Sequence, residues 1–583
     1  MGGASLASLD RRLATSRRLA ASTERVAEPA CSAARFRNFG TAGGSDKPDE
    51  KDIYAGFGTA WDTQVMFTKL MRRMAKTYTF KDGATSANDQ NFNPYIPAGY
   101  TYLAQFAAHD IVRNSALQAG LTSKETDHTN LRERSLLLDA LYGGGPTFSE
   151  LLYELPLAGE GFRSMLRTSP IARPPGEPTP GKCPYAFRDI PRFQQSDMSD
   201  GDRVPTGRPD VLVPDQRNDD NANIAQVTAL FHHLHNAVVT ALRALPDMPV
   251  YLEGAPKGLD LFENARLVTS FVYRSVIRDD LLGHLLIGPV WERYVANGFK
   301  PLADVSSDGI PLEFSHSAYR LGHAMVRMSY RFNDADPEHQ PVGIREVLAN
   351  RSSVSPWNFP VAVKWIVDWS KLFEMGDAKH QPSRRIGPSF NEILLEEAIF
   401  PNPTVKASAG GPNADAEPDP FCAGLLLRDL TRGTVGGLLT LDGILKTIPN
   451  DIRLSSPLLA NPAQRVQVLR DWLEASDVDF SEPELVELST NPPLMLWLLF
   501  EAADEANGCH LGTLGSIIVG DVFVARLAAS HNQIESDPRT PPLLQLLFPG
   551  KSPSTMPELI RFIAKVLGLD NVEPLFVSNM PTT

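Results

Sequence analysis

Residues 102–114 constrain this chain more than any other stretch. They read Tyr-Leu-Ala-Gln-Phe-Ala-Ala-His-Asp-Ile-Val-Arg-Asn, and their apolar spacing is helical. Gln105 and His109 stand four apart, so both project from one face, one turn above the other, while Asp110 points elsewhere. A lone histidine on such a helix is more often packed or surface-exposed than functional. Two later stretches change that weighing.

The first is Asp215-Gln216-Arg217-Asn218-Asp219-Asp220-Asn221, followed by a helical run to His235-Asn236; the second is Tyr319-Arg320-Leu321-Gly322-His323. In this order and at this separation, Gln-Phe-x-x-His-Asp, Asp-x-Arg-Asn-Asp-x-Asn and Tyr-Arg-x-Gly-His resemble the animal-type haem peroxidase superfamily, in the form carried by bacterial members. The resemblance extends over about residues 95–530. Within it, Leu425-Leu-Leu-Arg-Asp-Leu-Thr-Arg-Gly433 resembles a bacterial Leu-Arg-Asn-Leu-x-Arg-Gly segment with Asp429 in the Asn position, and 496–527 resembles the last shared helical region.

The resemblance implies haem b as cofactor and assigns roles residue by residue. His109 would take a proton from hydrogen peroxide and return it to the departing oxygen, as an imidazole titrating near pH 6.5 can. Arg217 would stabilise the charge that develops on that oxygen, and Gln105 would orient water or a halide. His323 would ligate the iron, with Gly322 allowing close approach to the ring. Asp429 would accept the hydrogen bond of the second His323 nitrogen, implying a lower Fe(III)/Fe(II) potential than in relatives with Asn. Arg320 would anchor a propionate or brace this side. Of the positions that carry covalent haem links in mammalian members, Ala108 and Asn221 have no suitable group, leaving Asp220 as the one place for an ester. Asp110 and Asp139 fall on calcium-ligand positions, but Leu137 stands where a carboxylate is expected, which weakens a site for a hard cation.

Function follows as expectation: a peroxidase that reduces hydrogen peroxide through a ferryl intermediate and oxidises small organic donors or halides in a response to oxidative stress. The alternative is a haem-dependent fatty-acid dioxygenase of the same superfamily. Those enzymes carry a radical-forming Tyr three residues before the iron-ligating His; that position is Arg320, and Tyr319 lies about 100° further round a helix. A non-catalytic haem carrier is a third class, expected to have lost His109 or Arg217.

Composition sets the remaining bounds. Strand-like alternation is scarce, so the fold class is mainly α, with long irregular loops and little β. Helices are expected at 65–75, 102–114, 221–245, 261–286, 360–372, 392–398 and 496–527, and loops at 78–98, 168–213 and 403–420. With 583 residues, 42% of them hydrophobic, and no breaker-rich divide in the middle, one large domain over 51–583 follows a flexible N-terminal arm, 1–50. A net charge of −13 opposes a nucleic-acid role. No window approaches the length of apolar sequence that a transmembrane helix needs. The four cysteines form neither a CxxC nor a zinc spacing, and the N-terminal stretch lacks an apolar signal core, so a cytoplasmic protein is expected. His232-His233-x-His235 could suggest a metal, but no partner motif accompanies it, and a structural role is favoured.

Overall fold

The computed structural model describes residues 36–40, 48–54, 63–86, 91–113, 130–132, 135–169, 188–193, 210–246, 250–305, 309–334, 341–349, 365–376, 380–396 and 424–568. Helices dominate these residues. α1 is Thr63–Met74, α2 Gly99–Ile111, α3 Ala222–Arg243, α4 Lys257–Val276, α5 Leu425–Val435, α6 Leu494–Ala506, α7 Thr513–Ala529 and α8 Met556–Leu567. α3 is buried along nearly its whole length, the mark of a helix enclosed by others rather than lying on a surface. Phe106 of α2 stacks on Phe231 of α3 with ring centroids 4.7 Å apart, and Tyr273 of α4 meets both edge-on. That aromatic cluster holds α2 against the centre of the molecule.

Strands are short and occur in pairs: β1, Phe36–Arg37; β2, Phe92–Pro97; β3, Arg192–Phe193; β4, Asp210–Val211; β5, Ile310–Pro311; β6, Pro382–Arg384. β1 runs parallel to β5, β2 antiparallel to β6, and β3 antiparallel to β4. The fold is mainly α, as the sequence indicates. One hydrophobic core runs from Phe39 to Ala564. No helix of the described residues is long and apolar enough to cross a membrane.

Several boundaries differ from the sequence reading. The 102–114 helix starts three residues earlier and ends at Ile111, because Val112 turns extended. The loop expected over 78–98 contains β2. The 261–286 run is α4 followed by a π-helical turn, Ile277–Leu281, and a last helical turn, Leu282–Leu285. Over 360–372 only the 3-10 turn Trp369–Lys371 is found among the described residues, capped by Asp368, and over 392–398 only Glu392–Leu395, capped by Asn391. Short polar side chains there satisfy backbone N–H groups at the start of each turn. The loop 403–420 lies outside the described residues, as does most of 168–213.

The flexible arm is also corrected in part. Phe39 is fully buried, its N–H donates to Glu313 Oε2 at 2.7 Å, and Asn38 Nδ2 donates to Glu313 Oε1 at 2.9 Å. Residues 36–40 are therefore built into the fold, where a buried aromatic and a buried carboxylate outweigh the polar composition around them.

The start of α2 is set by close packing. Gly99 N–H donates to Leu372 O at 2.9 Å, and a Cβ added at Gly99 would lie 2.5 Å from the Phe373 ring and 2.7 Å from Leu372 O. Gly→Ala in a helix ordinarily stabilises by up to about 1 kcal/mol, but overpacking against a backbone atom costs about 1–3 kcal/mol. Gly99→Ala should therefore lower stability in urea unfolding; a gain would contradict this packing.

Candidate functional site

The segment 215–221 contains a 3-10 turn, Gln216–Asp219, and leads into α3, and most of its side chains are held by hydrogen bonds or ion pairs. Asp215 caps the turn by accepting the Arg217 N–H, and Asn221 caps α3 by accepting the Ile224 N–H. Asp219 receives both Nη groups of Arg192, at 2.9 and 2.7 Å, in a fully buried pair that Asp189 completes. Asn218 reaches His109: Oδ1 lies 2.8 Å from Nδ1, while its Nδ2 donates to Ala140 O at 3.2 Å.

That geometry fixes the imidazole. Because the Asn218 amide NH2 is committed to a carbonyl, its oxygen faces the ring, so His109 Nδ1 carries the hydrogen and Nε2 a bare lone pair. Nε2 has no hydrogen-bond partner among the described residues. Burial, the Arg217 charge and, to a lesser degree, Arg132 hold the His109 pKa down to about 3, against weaker opposing pulls from Asp215 and Asn218. The imidazole is neutral at ordinary pH, which corrects the expected titration near 6.5. Arg217 donates Nε and Nη2 to Asp215 at 3.0 and 2.7 Å and Nη2 to His109 O at 3.1 Å; Nη1 has no partner among the described residues.

His109 and Arg217 line a cavity of about 360 Å³ whose wall also contains Gln105, Ala108, Asp220 and Asn221. Tyr319, Arg320, Gly322 and His323, from the 3-10 helix Ala318–Met325, line the same cavity. His323 Nδ1 lies 2.7 Å from Asp429 Oδ2, so a buried carboxylate accepts its N–H, and Nε2 has no hydrogen-bond partner among the described residues. Burial pushes the Asp429 carboxyl up, but the His323 and Arg320 charges outweigh this and hold it below the usual carboxylate range. Arg320 donates Nη1 to Asp429 Oδ1 at 3.0 Å and Nε to Ser315 O at 3.1 Å, so it braces the carboxylate.

Two groups escaped the sequence reading. Arg432, one turn beyond Asp429 on α5, lines the cavity with no hydrogen-bond partner among the described residues, and burial beside Arg320 lowers its pKa to about 10. It is a cation facing the cavity, and it is itself the last Arg of the quoted 425–433 segment, which was its available signal. His316 also lines the cavity, its Nδ1 2.7 Å from Ser315 Oγ.

Tyr319 departs from expectation as well. The 3-10 winding brings its ring into the cavity wall, stacked on Phe314 at 4.7 Å, and its hydroxyl donates to Ala104 O at 3.0 Å. The His232–His235 cluster is committed to structure: His232 Nδ1 binds Arg167 O at 2.9 Å, and His235 binds Tyr142 OH at 3.0 Å and Ser164 O at 2.8 Å. Asp110, one of the two expected calcium ligands, is already engaged by backbone. The Asp110 carboxylate accepts Leu138 N–H at 3.0 Å and Ala140 N–H at 3.2 Å, and burial together with the Asp139 charge raises its pKa to about 6. Among the described residues no group of three or more His, Cys, Asp or Glu could hold a metal ion.

Residues 185–376 match the family model for animal haem peroxidase. That segment is similar to the family. The matched segment contains the 215–221 turn and His323; His109 lies before it and Asp429 after it. Among solved structures, peroxidase A from Dictyostelium discoideum aligns over 94% of this chain and 93% of its own, at 12% identity and a TM-score of 0.48. A fatty acid alpha-dioxygenase from Arabidopsis thaliana aligns over 95% and 88%, at 14% identity and 0.49, and one from Oryza sativa over 94% and 91%, at 13% and 0.48. No curated protein sequence matches.

The family that the segment resembles is haem-binding, and the residues of the cavity fit that group. The cavity presents His323 Nε2 on a ring tied on its far side to a carboxylate, and Arg432, which has no hydrogen-bond partner among the described residues, offers a cation for an acidic substituent. A Cβ added at Gly322 in the wall meets no protein atom within 4 Å, so open space lies beside the chain there.

The fixed imidazole can be tested directly. In 15N spectra of His-labelled protein, His109 should show a protonated Nδ1 and a bare Nε2, and Asn218→Leu should mix the two tautomers. A protonated Nε2 in the unaltered chain would contradict the hydrogen-bond assignment.

Proposed function

We propose that this chain is a haem b peroxidase that reduces hydrogen peroxide and oxidises small organic donors or halides. The observation that carries the proposal is His109: a neutral imidazole with its tautomer fixed, beside Arg217, in a cavity whose wall also holds a carboxylate-tied His323. When bound, the haem supplies the iron centre at which peroxide is activated and from which donors are oxidised.

His323 Nε2 would hold the iron, and Asp429 would strengthen the electron donation of that imidazole. Arg432, and not the committed Arg320, would pair with a propionate. His109 Nε2 accepts a proton from the bound peroxide and delivers it to the oxygen that departs as water. Arg217 stabilises the negative charge developing on that oxygen, with a guanidinium already fixed by Asp215 and thus needing little reorganisation. Gln105, one turn before His109, would orient water or a halide in the same cavity. Asp220 supplies the one carboxyl at a family ester position, and Ala108 none. Tight calcium binding is not part of the proposal, because the Asp110 oxygens already accept backbone N–H groups.

A second reading, fatty-acid dioxygenation, draws support from Tyr319 in the cavity wall. Against it, the Tyr319 hydroxyl is bound to the Ala104 carbonyl, and Arg320 occupies the position three residues before His323.

Stopped-flow absorbance of the haem-loaded ferric protein mixed with hydrogen peroxide tests the proposal. The Soret band should shift rapidly, and His109→Ala should slow the reaction by about a hundredfold or more. A group with a pKa near 3 is deprotonated throughout the neutral range, so the rate constant should be flat from about pH 5 to 8 and fall only in stronger acid. A Soret band that ignores peroxide, with dioxygen uptake on a fatty acid that is lost in Tyr319→Phe, would replace the proposal with the second reading.

A further inference from the structure

α2 ends in a way that frees one carbonyl. In a continuing helix the Arg113 N–H would close onto His109 O, but it donates instead to Asn130 Oδ1 at 2.8 Å. The segment 130–132 is stitched to this helix end: Asn130 Nδ2 donates to Ile111 O at 2.9 Å, Leu131 N–H to Arg113 O at 2.7 Å, and Arg132 N–H to Asn130 Oδ1 at 3.1 Å. These bonds deliver the buried Arg132 side chain to the freed carbonyl, where its Nε donates to His109 O at 2.9 Å. Arg217 Nη2 is the second donor to that oxygen. Carbonyls at a helix C-terminus carry partial negative charge, and a cation there is favoured.

Arg132 and Arg217 share a second acceptor. Arg132 Nη2 makes a short ion pair with Asp215 Oδ2, the oxygen that also receives Arg217 Nη2. Two guanidiniums thus grip the same backbone oxygen and the same carboxylate, each limiting how the other can pivot. Arg132 stands outside the cavity, whose wall contains Arg217 and His109. Nothing in the Leu131-Arg132-Glu133-Arg134 run distinguishes this arginine from its charged neighbours.

We infer that Arg132 is a positioning residue that fixes the His109–Arg217 pair from behind, as a tethered cation bridging His109 O and Asp215. The inference rests on the peroxidase reading for its kinetic consequence, while its geometric consequence stands apart from that reading. The charged groups facing His109 are Arg217 and Asp215 of the 215–221 turn and Arg132 of the returning segment. Two cations against one carboxylate leave an excess positive charge beside the imidazole. Removing Arg132 would free Arg217 to relax onto Asp215 alone and would ease protonation of His109. A lysine would keep the charge, but its point-like ammonium cannot reproduce the fork that serves both acceptors.

The test compares the full-length haem-loaded chain with Arg132→Met and Arg132→Lys, reading the peroxide rate constant against pH and the His109 ring titration by 15N NMR. In Arg132→Met the rate constant should fall by roughly tenfold or more and the titration midpoint should rise by about one pH unit. In Arg132→Lys the midpoint should stay at the wild-type value while the rate constant falls several-fold. Wild-type rate and midpoint in Arg132→Met overturn the inference, as does a wild-type rate in Arg132→Lys. Should Arg132→Met fail to fold, Arg132→Lys decides alone. If the wild-type chain itself ignores peroxide, the peroxidase reading fails, and the titration still decides the role of Arg132: an unmoved midpoint in Arg132→Met, or for an unfolded Met variant a shifted one in Arg132→Lys, overturns it.

Discussion

The hydrogen bond between His109 Nδ1 and Asn218 Oδ1 is the contact on which the site depends. It joins α2 to the turn before α3, and it converts an imidazole that could present either nitrogen into one that presents Nε2. Three other residues of this segment support it. Asp215 and Asn221 cap the two helical segments on either side, and Asp219 fastens the turn to the buried Arg192. Burial and adjacent guanidiniums then keep the ring neutral. On the proposed peroxidase reading, a ring that is neutral over the whole neutral range gives up proton affinity but is always in its accepting form.

The His323 side is built on the opposite electrostatic principle. There the imidazole is tied to a buried carboxylate that Arg320 also grips, so negative charge stands behind the ring instead of positive charge. The two histidines of one cavity therefore have contrasting surroundings, and environments that differ in this way are how two chemically identical groups come to serve different roles. The cations left over are also informative. Arg320 donates to Asp429 and a carbonyl, whereas Arg432 has no hydrogen-bond partner among the described residues, which is why the proposed reading gives a propionate to Arg432.

The sequence revealed the members of the site better than their relations. Gln105, His109, Arg217, Asp220, Gly322 and His323, drawn from three motifs, do line one cavity. The Asn218–His109 contact was not legible, although both residues sat inside quoted motifs, because a contact across 109 positions leaves no periodic trace. Arg132 was invisible for the same reason, lying in a charged run that reads as solvated. Helix class was a further gap: composition could not distinguish a 3-10 turn from an α-helix over 318–325, and that difference turns Tyr319 into the cavity wall. Pro97 and Gly99 were start signals for α2 that the apolar pattern from 102 onward obscured.

The spin state of the ferric haem-loaded protein at neutral pH, read by electron paramagnetic resonance, tests the division of labour between the two histidines most directly. A single coordinating histidine, His323, with His109 held back by Asn218, should give a high-spin signal that survives His109→Ala. A low-spin bis-histidine signal that disappears in His109→Ala would mean that His109 is an iron ligand, and the account of it as a free base would be wrong.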